Sequence, residues 1–89
     1  MFVDRKADGE DRQPVENRGS LQRLVGENIR AIRTERGLSQ ERLGERLGVH
    51  RNYVGMLERG ERNLSLQTVE KFAELLEVEP LALLGRDRA

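Results

Sequence analysis

Gly48 is the residue around which any fold of this chain must be arranged. It separates two short helical patterns within the stretch 38–60. Leu43 and Leu47 lie four apart before it, Val54 and Leu57 lie three apart after it, and the apolar Val49 follows it directly. Residues three or four apart share one helix face, so each segment has a single narrow apolar stripe. Two short helices joined by a Gly-containing turn form a helix-turn-helix unit, and the second helix of such a unit is shaped to enter the DNA major groove.

The spacing predicts a helix over about 39–47, capped by Ser39, and a recognition helix over about 50–58. The second would show Arg51, Asn52, Gly55 and Met56 to the outside. Arg and Asn suit bidentate reading of guanine and adenine. Met56 would touch a thymine methyl or be partly buried, and Tyr53 would contact DNA or close the edge of the core. His50 would cap this helix or meet a phosphate.

The remaining chain reads as three more helices. Leu21, Val25, Ile29 and Ile32 recur with helical period, which predicts a first helix over 21–36 with Ser20 as its cap and Gly37 as its C′ residue. Gly60 ends the recognition helix and 61–64 form a loop. Ser65 caps a fourth helix with Leu66, Val69, Phe72, Ala73 and Leu76 on its apolar face. Pro80 opens a fifth over 80–84, at a first-turn position where its missing N–H does no harm. Nothing alternates with period two, so no sheet is expected. The fold class is all-α, a compact five-helix domain over 21–89. Its expected core is Leu24, Val25, Ile29, Ile32, Leu43, Leu47, Val49, Val54, Leu57, Leu64, Leu66, Val69, Phe72, Leu75 and Leu76.

Residues 1–20 hold few large apolar side chains (Phe2, Val3, Val15) and are read as a flexible N-terminal arm. A DNA-contacting arm is the other reading, and its slight negative charge argues against that. The formal net charge of the chain is zero, but it is unevenly placed. Residues 21–62 carry nine arginines against six glutamates, an excess of three positive charges, and this half contains the helix-turn-helix pattern. Phosphate binding asks for that placement.

Several classes are excluded by composition. With no cysteine and one histidine, disulfides, Cys-based zinc sites and His-rich metal sites have no ligands. No cofactor and no small-molecule ligand are expected. No apolar run approaches the roughly 18 residues of a membrane span, and the N-terminus lacks the apolar core of a signal peptide. A cytoplasmic setting without a membrane partner is therefore expected. An enzyme is not expected either. There is no phosphate-cradling Gly loop, and neighbours such as Glu41 with Glu45 or Arg42 with Arg46 are like-charge surface pairs and not a tuned acid and base.

Many spaced positions together resemble one family. The runs Gly26-Glu-Asn-Ile-Arg-Ala-Ile-Arg, Gly37-Leu-Ser-Gln-Glu-Arg-Leu-Gly, Gly48-Val-His-Arg-Asn-Tyr-Val and Leu57-Glu-Arg-Gly60 are similar to the Xre or Cro-repressor-like helix-turn-helix family. The stretch from Arg51 to Asn63, followed by Ser65 and Leu66, resembles the controller proteins of restriction-modification systems. The resemblance implies a regulator that binds a near-palindromic operator in double-stranded DNA as a homodimer. It implies that Ser39 and Gln40 meet a phosphate at the start of the second helix, and that Arg51 and Asn52 face base edges. It further implies that Tyr53 contacts the backbone or a deformed base step, that Arg59, Arg62 and Asn63 lie along the sugar-phosphate backbone, and that Arg33 pairs with Glu58. His50 departs from the family, which commonly has a Ser, Thr or Asp cap there. Gly44 departs from the family, which usually has Ala there, at an expected cost of about 1 kcal/mol in helix propensity.

The C-terminal Leu81, Leu83 and Leu84 are more apolar than a short exposed helix should be. They are expected to divide between the core and a two-fold interface within 65–85. The function expected is sequence-specific transcription regulation, autoregulatory in a restriction-modification setting. The alternative is an antitoxin-type interaction module that also represses its own operon.

Overall fold

A computed structural model describes residues 19–85; the expected arm, apart from Gly19 and Ser20, lies outside the described residues, as do 86–89. Among the described residues every element is helical. The order is α1 (Ser20–Glu35), α2 (Gln40–Leu47), α3 (Arg51–Glu58), α4 (Leu66–Leu76) and α5 (Pro80–Leu84). α2 packs on α3, α1 crosses both α3 and α5, and α4 closes the other side against α2 and α5.

Three helices start on side-chain caps. Ser39 Oγ accepts from the Arg42 N–H at 3.0 Å, Ser65 Oγ from the Thr68 N–H at 3.0 Å, and His50 Nδ1 from the Asn52 N–H at 3.0 Å. Each satisfies a donor that the helix cannot satisfy itself. α1 is different from expectation. Ser20 is already helical, and the cap position is Gly19 with no side-chain hydrogen bond. The backbone closes that end alone, through the Arg23 N–H to the Gly19 carbonyl at 3.1 Å.

The turn between α2 and α3 depends on Gly48. Its φ is 76°, and the Val49 N–H returns to the Gly44 carbonyl at 2.8 Å. A side chain at this left-handed position costs roughly 1–2 kcal/mol. Gly44 serves the same turn by another route. A Cβ there would lie 2.6 Å from the Val49 carbonyl oxygen, so α2 and the following turn touch backbone to backbone. Gly26 does likewise for the crossing of α1 on α3, where a Cβ would collide with the Leu57 carbonyl oxygen.

The core joins Val25, Ile29 and Ile32 of α1, Leu43 and Leu47 of α2, Val54 and Leu57 of α3, Val69, Phe72, Ala73 and Leu76 of α4, and Leu83 of α5. The expected core needs correction at several places. Leu66 is 74% exposed and Leu75 is exposed, while Val49 and Leu64 are only half-buried. Leu66 shares the apolar stripe of α4 but sits in its first turn, beyond the edge of the core. Leu75 is one residue from Leu76 and therefore about 100° around the helix. Leu21, on the stripe of α1, is exposed for the same end-of-helix reason.

Leu83 was expected among the interface residues. It is fully buried in its own protomer, so it is core and has no surface to offer a partner. A buried polar group secures it. Asn28 is 4% exposed and its Nδ2 donates to the Leu83 carbonyl at 2.9 Å and to the Gly85 carbonyl at 2.8 Å. The last turn of α5 is thereby tied to the middle of α1.

Candidate nucleic-acid interface

α3 presents two unlike faces. Val54 and Leu57 are sealed into the core, at 0% and 1% exposure. Arg51 and Asn52 stand exposed in the first turn, with Met56 half-buried further along. Gly55 is not on the outside, as the spacing had suggested, but buried. The Gln40 amide and the Arg59 guanidinium cover it, within 3.4 to 3.9 Å of where its Cβ would be. These are ordinary contact distances, so two polar side chains lie along α3 over this position.

The base of this face is an ion-pair network. Glu58 at the end of α3 accepts from Arg33 Nε at 2.6 Å, from Arg33 Nη2 at 3.1 Å and from Gln40 Nε2 at 3.1 Å. Arg33 Nη1 also donates to the Leu38 carbonyl at 2.9 Å. The side chains are 14% and 4% exposed. A two-point Arg–carboxylate fork is short and directional, and here it fixes α1, the start of α2 and the end of α3 to one another. Gln40 is thus oriented by Glu58 at the N-terminus of α2, where free N–H groups and the helix dipole favour an anion.

His50 and Ser39 have divided duties. The His50 ring accepts at Nδ1, so in its neutral form the proton sits on Nε2, where it can be donated outward. Ser39 accepts from Arg42 and keeps its own O–H. A shallow depression between α2 and α3 is lined by Glu41, Glu45, Val49, His50 and Arg51. Arg51 therefore has carboxylates on one flank.

Beyond α3 the chain turns back through Gly60. Tyr53 and Phe72 pack in a T-shaped pair, with ring centroids 6.5 Å apart at 83°, and the Arg62 guanidinium lies over the Tyr53 ring, 4.9 Å from its centroid. Tyr53 is half-buried, so it serves as platform as well as edge of the core. Gln22 of α1 steadies this loop by donating to the Arg62 carbonyl at 2.9 Å and to Asn63 Oδ1 at 3.4 Å. Arg59 is forked by Glu61 at 3.1 and 3.2 Å. Those hydrogen bonds, then the charge attraction, raise the Arg59 pKa, and the same hydrogen bonds hold the Glu61 carboxyl below its ordinary range.

Among the named positions, the fold brings Gln40, Arg33 and Glu58 into one network, Tyr53 and Arg62 into another, and Arg51 and Asn52 onto one exposed turn. Leu81 is 75% exposed, and Leu84 lines an apolar groove with Leu21, Val25, Leu64, Leu66 and Val69. Asn28, Gln22 and Glu61 were not singled out from sequence. Asn28 left a signal, because it lies four residues from Leu24 and from Ile32 and so interrupts an apolar stripe with an amide. Gln22 and Glu61 left none. Among the described residues no helix is long and apolar enough to cross a membrane, and no group of His, Cys, Asp and Glu could hold a metal ion.

Residues 29–83 match the family model described as helix-turn-helix, HTH_3. The chain belongs to the helix-turn-helix family. That places it among DNA-binding transcription regulators. Its helix-turn-helix relatives include control protein C.SmaI of Serratia marcescens, 41% identical over 74% of this chain and 79% of that protein. Control protein C.BamHI of Bacillus amyloliquefaciens is 39% identical over 73% of this chain and 82% of that one. The crystal structure of the restriction-modification controller protein C.AhdI from Aeromonas hydrophila superposes with a TM-score of 0.65 at 43% identity, covering 73% of this chain and 94% of that one.

Proposed function

We propose that this chain is a sequence-specific transcription regulator that binds duplex DNA as a homodimer, with α3 of each protomer in the major groove. One observation carries the reading. α3 buries Val54 and Leu57 completely and stands Arg51 and Asn52 free in its first turn. A stiff helix so held can offer those two side chains to base edges, where a good bidentate contact discriminates by about 1–3 kcal/mol. Met56 is placed to add an apolar contact. Ser39, Gln40 and His50 take phosphates at one end of the motif. Arg59, Arg62 and Asn63 follow the backbone at the other, with Tyr53 supporting Arg62.

The dimer face is Leu81 and Leu84, extended by Leu66 and Leu21 in place of the buried Leu83. A self-complementary face of this kind generates a two-fold pair, and a two-fold pair reads inverted half-sites about 34 Å apart. The Aeromonas structure, a restriction-modification controller protein, supports a narrower role, control of a restriction-modification system through its own operator, in the cytoplasm where such DNA lies. Repeated selection from a pool of random duplexes tests the reading. Enrichment of inverted half-sites one helical turn apart is expected. Retention of all sequences alike, or of none in dilute buffer, would overturn it.

A further inference from the structure

Arg59 and Glu61 are two residues apart, a spacing at which helical side chains do not face each other. They meet because the chain reverses at Gly60, whose φ is 76°. The reversal is locked by the Gly60 N–H to the Leu57 carbonyl at 3.0 Å and the Glu61 N–H to the Met56 carbonyl at 2.9 Å. A Cβ on Gly60 would lie 2.8 Å from Arg23 Cγ and 3.0 Å from Arg23 Cα, so the turn is pressed against α1. The backbone thus delivers the Glu61 carboxylate to Arg59.

The contact engages Arg59 Nε and Nη2, the two donors on one edge of the guanidinium. That edge is the one that forks a phosphate, and carboxylate and phosphate match it with the same two-point geometry. The pair does little for the fold. Its side chains are 60% and 52% exposed, against 14% and 4% for Arg33 and Glu58, and exposed pairs of this kind add little stability. A pair built by a locked turn, yet of small structural value, sits on an arginine placed beside α3 and over Gly55.

We propose that Glu61 is an internal phosphate surrogate, which occupies Arg59 until DNA displaces it and so sets how tightly this protein holds DNA of any sequence. The proposal rests on the DNA-binding reading above. Phosphates carry no sequence information directly, so the competition weakens binding to operator and bulk DNA alike. The ratio between them is left to Arg51 and Asn52. A neutralised phosphate ordinarily contributes about 0.9 to the salt slope, but Arg59 here exchanges one anion for another and contributes close to nothing.

The test compares the full-length wild type with Glu61→Gln, Arg59→Ala and the double variant. Binding of labelled duplexes, one selected by the protein and one scrambled, is followed by fluorescence anisotropy between about 50 and about 200 mM salt. Glu61→Gln should bind both duplexes about two- to fivefold tighter. Its salt slope should steepen by about 0.9 per protomer, nearly two units for the dimer, and the selected-to-scrambled ratio should stay the same. In the Arg59→Ala background most of the gain should vanish, with melting curves reporting that every variant is folded. Unchanged affinity for Glu61→Gln, or a gain that persists undiminished without Arg59, overturns the surrogate while leaving the DNA reading intact. A wild type that binds neither duplex takes both down.

Discussion

Glu58 shows how much one side chain can hold in a small domain. Its carboxylate is nearly sealed and is satisfied by Arg33 and Gln40. Glu58→Ala leaves the largely buried Arg33 guanidinium without its carboxylate, with only the Leu38 carbonyl still accepting from it, so urea denaturation should show a loss of about 3 kcal/mol. Replacing both members together, Arg33→Met with Glu58→Leu, should recover most of that loss, because the expensive state is the lone charge and not the missing pair. The exposed pair behaves otherwise. The Glu61 carboxyl is depressed by the hydrogen bonds from Arg59, so the contact is complete above the ordinary carboxylate range and dissolves as pH falls through the lowered pKa. In Arg59→Ala the carboxyl titration followed by NMR should move back up toward the usual value of about 4.3. At this scale the sequence was legible where a side chain obeys the helical period. Asn28 obeys it, yet its role is not legible, since its partners are the Leu83 and Gly85 carbonyls at the end of α5, which only the tertiary fold brings near. Glu61 obeys no period, because its contact is made by a chain reversal.

Three helix starts followed readable caps, since Ser39, His50 and Ser65 each hold a backbone N–H, whereas Ser20 caps nothing and α1 begins at it. Which part of each stripe is buried was less readable. Leu66 and Leu21 carry the right period but occupy first turns that overhang the core, and period alone carries no information about where a neighbouring helix ends. Gly44 gives the sharpest contrast. Helix propensity alone predicts that Gly44→Ala stabilises by about 1 kcal/mol. The Val49 carbonyl oxygen, 2.6 Å from the new methyl, predicts the reverse, a lower melting temperature and a loss of about 1–3 kcal/mol as the turn is forced open. The end of α4 supplies an opposite case. Glu77 sits at φ 60° as the C-cap residue, a left-handed conformation that costs a non-glycine residue roughly 1–2 kcal/mol. Glu77→Gly should relieve part of this and raise the melting temperature, net of the added freedom glycine gives the unfolded chain.

For the whole molecule, one small all-helical unit leaves two surfaces with something left to do. One is the turn of α3 that carries Arg51 and Asn52. The other is apolar, with Leu66 and Leu81 about three-quarters exposed and a groove between Leu21, Leu84 and Val69. Leu81→Asp should shift sedimentation equilibrium toward monomer and weaken operator binding together, since two half-sites must be engaged at once. The same mass and affinity for this variant would place the dimer face elsewhere. The fold class was legible because periodicity and glycines agreed; the burial of Leu83 was not, because three neighbouring leucines at 81, 83 and 84 cannot be divided between core and surface without knowing how α5 docks on Asn28. The most direct measurement concerns Arg51, which is exposed in the first turn of α3. With a selected and a scrambled duplex at one fixed salt concentration, Arg51→Ala should lower the affinity ratio about 5- to 100-fold while its melting temperature stays that of the wild type. An unchanged ratio in a folded variant would mean that α3 does not read the bases.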